Sequence, residues 1–201
     1  MVYYILWLML QIIKRFLFNK IEGLENIPKK KMPLIVVANH INDLDPFRIG
    51  AFAHLNNPFH WFAKKELFSV KETYNDYIKK IKIPFITRLF SLIVVYVTKR
   101  CRTIPVDRNN DGSRINRLAI LKAKELLTKN SAIGIFGEGG IGRQGQARPV
   151  FVSLAKKTGA LILPVKVEKN RIVFGSLVNV DNTVSDSQKQ AQEIMDQIYK
   201  M

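Results

Sequence analysis

His40 and Asp45 stand five residues apart in the segment NHINDLDPF, residues 39–47. An imidazole can take a proton near neutral pH. A carboxylate beside it can fix its tautomer and stabilise the imidazolium that forms, so these two residue types suit a compact general-base pair. The same residues also suit a plain helix start, with Asp43 or Asp45 as cap and His40 packed. The apolar run Leu34-Ile35-Val36-Val37-Ala38 comes just before them and reads as a buried strand. The pair then falls on a strand-to-helix loop at the end of a sheet, a common place for chemistry in α/β domains.

Two further loops carry candidate groups. One presents Arg108 after the short strand-like run RTIPVD. A guanidinium is a planar fork of donors suited to phosphate. The other is FGEGGIGRQGQ, with Glu138, Gly139 and Arg143. Its glycines would let backbone N–H groups approach a ligand, or would serve a simple turn. It has neither the Lys-Ser/Thr of a P-loop nor a dinucleotide fingerprint. Cys101 sits among Lys99, Arg100 and Arg102 with no evident base, which argues against a nucleophilic thiol. His54 and His60 read as packing or surface residues, and Trp61 reads as core. Lys64 and Lys65 read as a solvated basic edge or as contacts to donor phosphates.

Elements that would position these loops can be read along the chain. After the Gly23, Pro28 and Pro33 connection and the strand at 34–38, residues 46–55 predict a helix and 59–63 a strand. Residues 71–98 predict helix broken near Pro84, and 102–106 a strand. A turn at 109–112 precedes a helix over 114–128, with Asp111 or Ser113 as its cap. Ala132–Phe136 reads as a buried strand and 149–158 as a helix. Leu161–Val167 and Arg171–Val180 read as strands, and a closing helix runs from Ser185 or Asp186 to about 200. Strands alternating with helices argue for one α/β domain with a mixed, largely parallel sheet flanked by helices.

The 201-residue chain is 47% hydrophobic, which excludes a disordered protein. Its single cysteine excludes an internal disulfide framework. The formal charge is +16, with 16 Lys and Arg in residues 1–100 and 16 in 101–201. Such an excess calls for a polyanionic partner: a nucleic acid, an anionic membrane or a phosphorylated substrate. Nucleic acid is the weaker choice, because no zinc-ligand spacing, RNP-type aromatic run or helix-turn-helix is visible. Residues 1–18, MVYYILWLMLQIIKRFLF, are short for a spanning helix and lack the layout of a signal peptide. They read as a membrane-associating helix over 1–19, with Lys14, Arg15 and Lys20 at the headgroups, followed by one domain over 20–201. A buried core helix is the alternative there. A second apolar stretch, IPFITRLFSLIVVYV at 83–97, also has basic flanks. Together they predict monotopic attachment to the cytoplasmic face of the cell membrane, with an acyl groove or membrane dock beside the His40 loop.

The order and spacing of five segments resemble the glycerolipid acyltransferase family. NHINDLDPF resembles its NH-x-x-x-x-D motif, and WFAKKELF its Lys-x-Glu-Leu segment. RTIPVDR resembles its second motif, FGEGG its third and LILPV its fourth; IEGLENIP ahead of the first motif is also similar. The resemblance covers about residues 20–180 and implies a glycerol-3-phosphate acyltransferase-like fold. It implies transfer of a fatty acyl group from acyl-CoA or acyl carrier protein to the hydroxyl of a lysophospholipid, foremost 1-acyl-glycerol 3-phosphate, giving phosphatidate. Glycerol 3-phosphate or another lysophospholipid are alternative acceptors, and a non-catalytic anionic-lipid-binding protein is an alternative of another class. By this resemblance His40 is the general base and Asp45 its partner. Arg108 binds the acceptor phosphate, Glu138 and Gly139 serve acceptor binding, and Pro164 is structural. No metal or redox cofactor is implied. The chain departs from the third motif, F-P-E-G-T-R-S: Gly137 replaces Pro, and Gly140-Ile141-Gly142 replaces Thr-Arg-Ser. Arg143 or Arg148 would have to supply the missing guanidinium.

Overall fold

Runs that are apolar at every position form strands buried on both faces, and these make the centre of the fold. Leu34–Ala38 (β2) and Ala132–Phe136 (β5) are buried throughout and pair in parallel, Ala38 opposite Phe136. The computed structural model of the chain describes residues 20–53, 55, 58–110, 112–141 and 145–201. The remaining strands are Lys20–Glu22 (β1), Phe59–Lys64 (β3), Thr103–Val106 (β4), Leu161–Val167 (β6) and Arg171–Phe174 (β7). They form one sheet in the order β1-β7-β6-β2-β5-β3-β4, parallel except for the β6–β7 pair.

Helices cover both faces. Asp45–Phe52 (α1) places Ile49 and Phe52 against Leu34, Val36, Phe59 and Trp61 on one face. On the other, Arg114–Thr128 (α4), Val150–Thr158 (α5) and Ser187–Lys200 (α6) cover Ile35, Val37, Ile133 and Ile135. Val70–Ile81 (α2) and Pro84–Arg100 (α3) form a hairpin between β3 and β4. Lys82 turns it in the left-handed region, and Pro84 opens α3 at a position where its missing N–H costs nothing. This is the mixed, largely parallel α/β domain that the sequence predicts. The reading of residues 1–19 as a membrane-associating helix lies outside the described residues, as do His54, Asp111 and Arg143.

Several boundaries differ from the sequence reading. Ile21 and Glu22, read as connection, and Lys20, read at the headgroups, form an edge strand held to β7 by a two-point ion pair from Arg171 to Glu22 at 3.2 and 2.7 Å. The strand expected over 171–180 ends at Phe174: Gly175 still donates to Pro164 O at 2.8 Å, but Pro164 has no N–H to return the bond. Val178 rejoins only as a single bridge to Ile162. The helix expected over 46–55 begins one residue earlier and ends at Phe52. The cap of α4 is Ser113, whose hydroxyl accepts from the Asn116 N–H. Asp186 caps α6 in the same way through Gln188 and Lys189.

Candidate active site

Parallel strands deliver their C-terminal ends to one edge of a sheet. Here β2 ends in the His40 loop, β5 in Glu138 and Gly139, β3 in Lys65 and β4 in Arg108. Three of these loops were expected to meet, and the topology brings them to the same edge.

The His40 loop is locked by its own backbone. Asp45 Oδ2 accepts from the amides of Ile41 at 2.8 Å and Asn42 at 2.7 Å, and lies 3.1 Å from His40 Nδ1. Its Oδ1 accepts from Arg48 Nη1 at 3.3 Å. Asp45 therefore holds the imidazole and ties the loop ahead of α1, but it does not cap the helix: the N-cap is Leu44, without a side-chain cap hydrogen bond. His40 is 5% exposed and Asp45 0%. With a proton on Nδ1 facing Asp45, Nε2 keeps its lone pair for a substrate. The His40 ring stacks on Phe136 with centroids 3.8 Å apart.

Two members of this arrangement were not singled out in the sequence. Arg48 is buried and ties Asp45 to the β6–β7 turn, donating through Nη2 to Glu168 O at 2.6 Å and Lys169 O at 3.0 Å. Its spacing of three from Asp45 along α1 was the available signal. Asn39 continues the β2–β6 pairing past the strand end: its side chain donates to Val167 O and accepts from Val167 N–H.

Glu138 lies against the same loop. Its Oε2 accepts from the His40 N–H at 3.4 Å. Its Oε1 is buried and has no hydrogen-bond partner among the described residues. Burial pushes its carboxyl above the usual range, and the His40 amide offsets only part of that. Gly139 turns the chain at φ +75°, where a side chain would be strained. Its N–H already donates to Phe136 O at 2.9 Å, so this amide is committed to the turn and unavailable to a developing oxyanion.

The change from Pro to Gly at 137 has a packing reason. A Cβ on Gly137 would stand 2.3 Å from Met195 Sδ and 3.2 Å from Val37 Cγ1. Its N–H also donates to Ala38 O at 3.0 Å, a bond that Pro lacks.

Beside the strand ends lies a cavity of about 430 Å³. Arg108, Arg148 and Lys157 supply cationic lining, and Phe62, Ile120, Val150 and Leu154 are among its apolar walls. It reaches the His40 region through Phe136 and Gly139; His40 and Asp45 themselves do not line it. Arg148 lies across Gly139, its Cγ and Nε 3.4 and 3.5 Å from where a Cβ would be. Asn116 of α4 fixes the Arg108 loop by accepting from Asp107 N–H and donating to Asp107 O and Asn110 O. Lys65 is partly exposed, as a basic edge would be, and it also has a partner: it donates to Asp107 Oδ2 at 2.7 Å and holds that carboxyl below its usual range. Lys64 likewise pairs with Asp76. Cys101 is half-buried, and burial raises its thiol pKa, which opposes the thiolate a nucleophile needs. His60 is half-buried and Trp61 buried in β3, consistent with packing.

Known proteins share the family and the fold of this chain. The 1-acyl-sn-glycerol-3-phosphate acyltransferase of Borreliella burgdorferi is 33% identical over 160 residues, 77% of this chain and 52% of that protein. The chloroplastic 1-acyl-sn-glycerol-3-phosphate acyltransferase LPAT1 of Arabidopsis thaliana is 28% identical over 80% of this chain and 38% of its own length. The chain thus spans about half or less of these relatives. The crystal structure of the 1-acyl-sn-glycerophosphate (LPA) acyltransferase PlsC from Thermotoga maritima shares the fold, with a TM-score of 0.57 over 96% of this chain and 77% of that one, at 19% identity. Residues 19–168 match the family model described as Acyltransferase, and the chain belongs to that family.

Proposed function

We propose that the chain transfers a fatty acyl group from an acyl thioester, acyl-CoA or acyl carrier protein, to the free hydroxyl of 1-acyl-glycerol 3-phosphate, giving phosphatidate. The observation that carries this reading is the buried His40–Asp45 pair, 3.1 Å apart, beside a cavity that combines apolar walls with Arg108 and Arg148. An acceptor with one phosphate and one acyl chain needs both kinds of lining.

In this mechanism Nε2 of His40 takes the proton of the acceptor hydroxyl as its oxygen attacks the thioester carbonyl. The C–O bond forms, and the carbonyl electrons move to an oxyanion. Collapse breaks the C–S bond, and the imidazolium returns the proton to the departing thiolate. The products are an ester and a free thiol, and no external oxidant or reductant enters. General-base help of this kind is worth about 10²–10⁴ in rate. Asp45 holds the tautomer and stabilises the imidazolium, while Arg48 holds Asp45. Arg108 and Arg148 clamp the acceptor phosphate, with Arg148 standing in for the guanidinium absent at position 141. Glu138 and Gly139 shape the acceptor end, and Arg143 is a further candidate contact for the phosphate. We assign the activity to the cytoplasmic face of the cell membrane, with monotopic attachment; a lipid acceptor and a charge of +16 support this.

The test is thiol release from acyl-CoA by the purified chain in detergent, with and without 1-acyl-glycerol 3-phosphate, beside His40→Ala. Release that requires the acceptor and is lost in the variant is the expected result. Release without acceptor would indicate a thioesterase. Vesicle binding with no release across donors and acceptors would leave a non-catalytic lipid-binding protein.

A further inference from the structure

Two helices of this molecule follow opposite rules. α6 buries Ala191, Ile194, Met195 and Ile198, as a surface helix in water does. α3 does the reverse. Its buried positions are Thr87, Ser91, Val95 and Thr98. Its exposed positions include Phe85, Ile86, Leu89, Leu92, Ile93 and Tyr96, with Phe85 78% exposed. At about 100° per residue, the stripe Phe85-Leu89-Leu92-Tyr96 points away from the buried stripe.

The polar side is satisfied within the helix. Thr87 Oγ1 donates to Ile83 O at 2.8 Å and Ser91 Oγ to Thr87 O at 2.7 Å. Small residues there let α3 lie close on α2, whose Tyr77 meets Phe90 edge-on at 5.0 Å. Helices that pack through small and hydroxyl residues while turning large apolar ones outward suit a lipid surrounding. A contiguous exposed apolar patch marks an interaction surface.

Charge selects the occupant. Lys79 and Lys80 end α2, Lys82 forms the turn, and Lys99 and Arg100 end α3, all exposed. Among the described residues no helix is long and apolar enough to cross a membrane. The 17 residues of α3 span about 25 Å, which fits a helix lying in the interface with its basic ends at the headgroups. We propose that the exposed face of α3 is a lipid-docking surface that seats the α2–α3 hairpin in one leaflet of an anionic bilayer. The hairpin is tied to the candidate site. Lys80 Nζ donates to Asp43 Oδ2 at 3.1 Å, within the His40 loop, and Tyr77 leans on the same carboxylate. Docking therefore holds the His40 loop at the lipid surface. The proposal rests on the helix and its charges, and it stands even if the chain turns over no lipid.

The experiment measures partition of the full chain into phosphatidylcholine vesicles with and without phosphatidylglycerol. The triple variant Leu89→Gln, Leu92→Gln, Ile93→Gln is expected to lower partition by about tenfold or more, since each loses apolar burial in the bilayer. Its thermal melt should match wild type, because all three side chains are exposed. Leu24→Gln, also exposed but at the far edge of the sheet, should partition as wild type. A bimane label on Leu92→Cys in a Cys101→Ser background should shift to the blue and be quenched by acyl-chain nitroxide lipid. Unchanged partition of the triple variant overturns the proposal, as does a label reached by aqueous iodide and not by lipid. A dimer that dissociates in the triple variant while vesicle binding persists gives the face to a second copy, and also overturns it. Docking through α3 without acyl transfer supports the proposal and removes the enzymatic reading instead.

Discussion

The loops after β2 and β5 end side by side and are built in opposite ways. In the first, Asp45 takes hydrogen bonds from two amides, from Arg48 and from His40. In the second, Glu138 keeps a buried oxygen with no partner among the described residues, and a left-handed turn that calls for glycine falls on Gly139. The first loop fixes a geometry before any substrate arrives, as a base must be fixed. The second retains bonding capacity that a ligand can complete. On the proposed function, the difference separates a region set for chemistry from one set for recognition.

The largest test of that contrast is at His40. His40→Ala should lower kcat by about 10²–10⁴ with little change in acceptor KM, measured by acceptor-dependent thiol release. A KM change alone would move His40 from chemistry to binding. Arg48→Met tests whether the β2 loop depends on its buried ion pair. Removing one partner of such a pair costs about 3–5 kcal/mol, read by urea unfolding, and kcat should fall as His40 loses its orientation. Unchanged stability would mean that the amides of Ile41 and Asn42 hold Asp45 unaided.

The recognition side predicts a different signature. Arg148→Ala and Arg108→Ala should each raise acceptor KM by about 10- to 100-fold, the worth of a hydrogen bond to a charged group, with a smaller effect on kcat. An acceptor lacking the phosphate should erase the difference between wild type and variant. If Arg148→Ala leaves KM unchanged while Arg108→Ala raises it, the second guanidinium belongs elsewhere, and Arg143 becomes the residue to test.

The same contrast explains what could be read from the chain. β2 and β5 are apolar along their length, β6 is apolar except at Lys166, and α4 carries a clear 3.6-residue repeat, so local pattern sufficed for them. The His40–Asp45 contact was legible because both residues lie within one short segment. β1 was not, because two of its three residues are charged and its partner Arg171 lies 149 residues away from Glu22. Arg48 was missed for a similar reason: its carbonyl partners Glu168 and Lys169 are about 120 residues distant. The Lys65–Asp107 pair was not legible because Asp107 approaches Lys65 only through β3–β4 pairing. The cavity joins residues of several elements, and no local period marks it. α3 was legible as apolar, but its inverted face was not, since composition does not say which side of a helix meets the protein.

The smallest expected effect is at Glu138, and its sign is informative. Burial raises its carboxyl pKa in the folded protein, while the unfolded chain keeps the ordinary value near 4.5. The folded state therefore holds a proton in a window where the unfolded state has lost it. Stability from this group is full below the unfolded pKa and is lost as pH rises through the folded one. Glu138→Gln removes the buried charge while its amide oxygen can still accept from the His40 N–H. Its melting temperature should match wild type below about pH 4.5 and exceed it once the folded carboxyl ionises. The gain should be about 2–4 °C for each kcal/mol of burial cost removed. Acceptor-dependent turnover should fall in the same variant. Higher stability with lower activity is the pairing expected where a fold tolerates a buried charge for what that charge does to a ligand. A variant less stable than wild type at neutral pH would show instead that Glu138 is a structural anchor, and the β5 loop would then be as fully bonded as its neighbour.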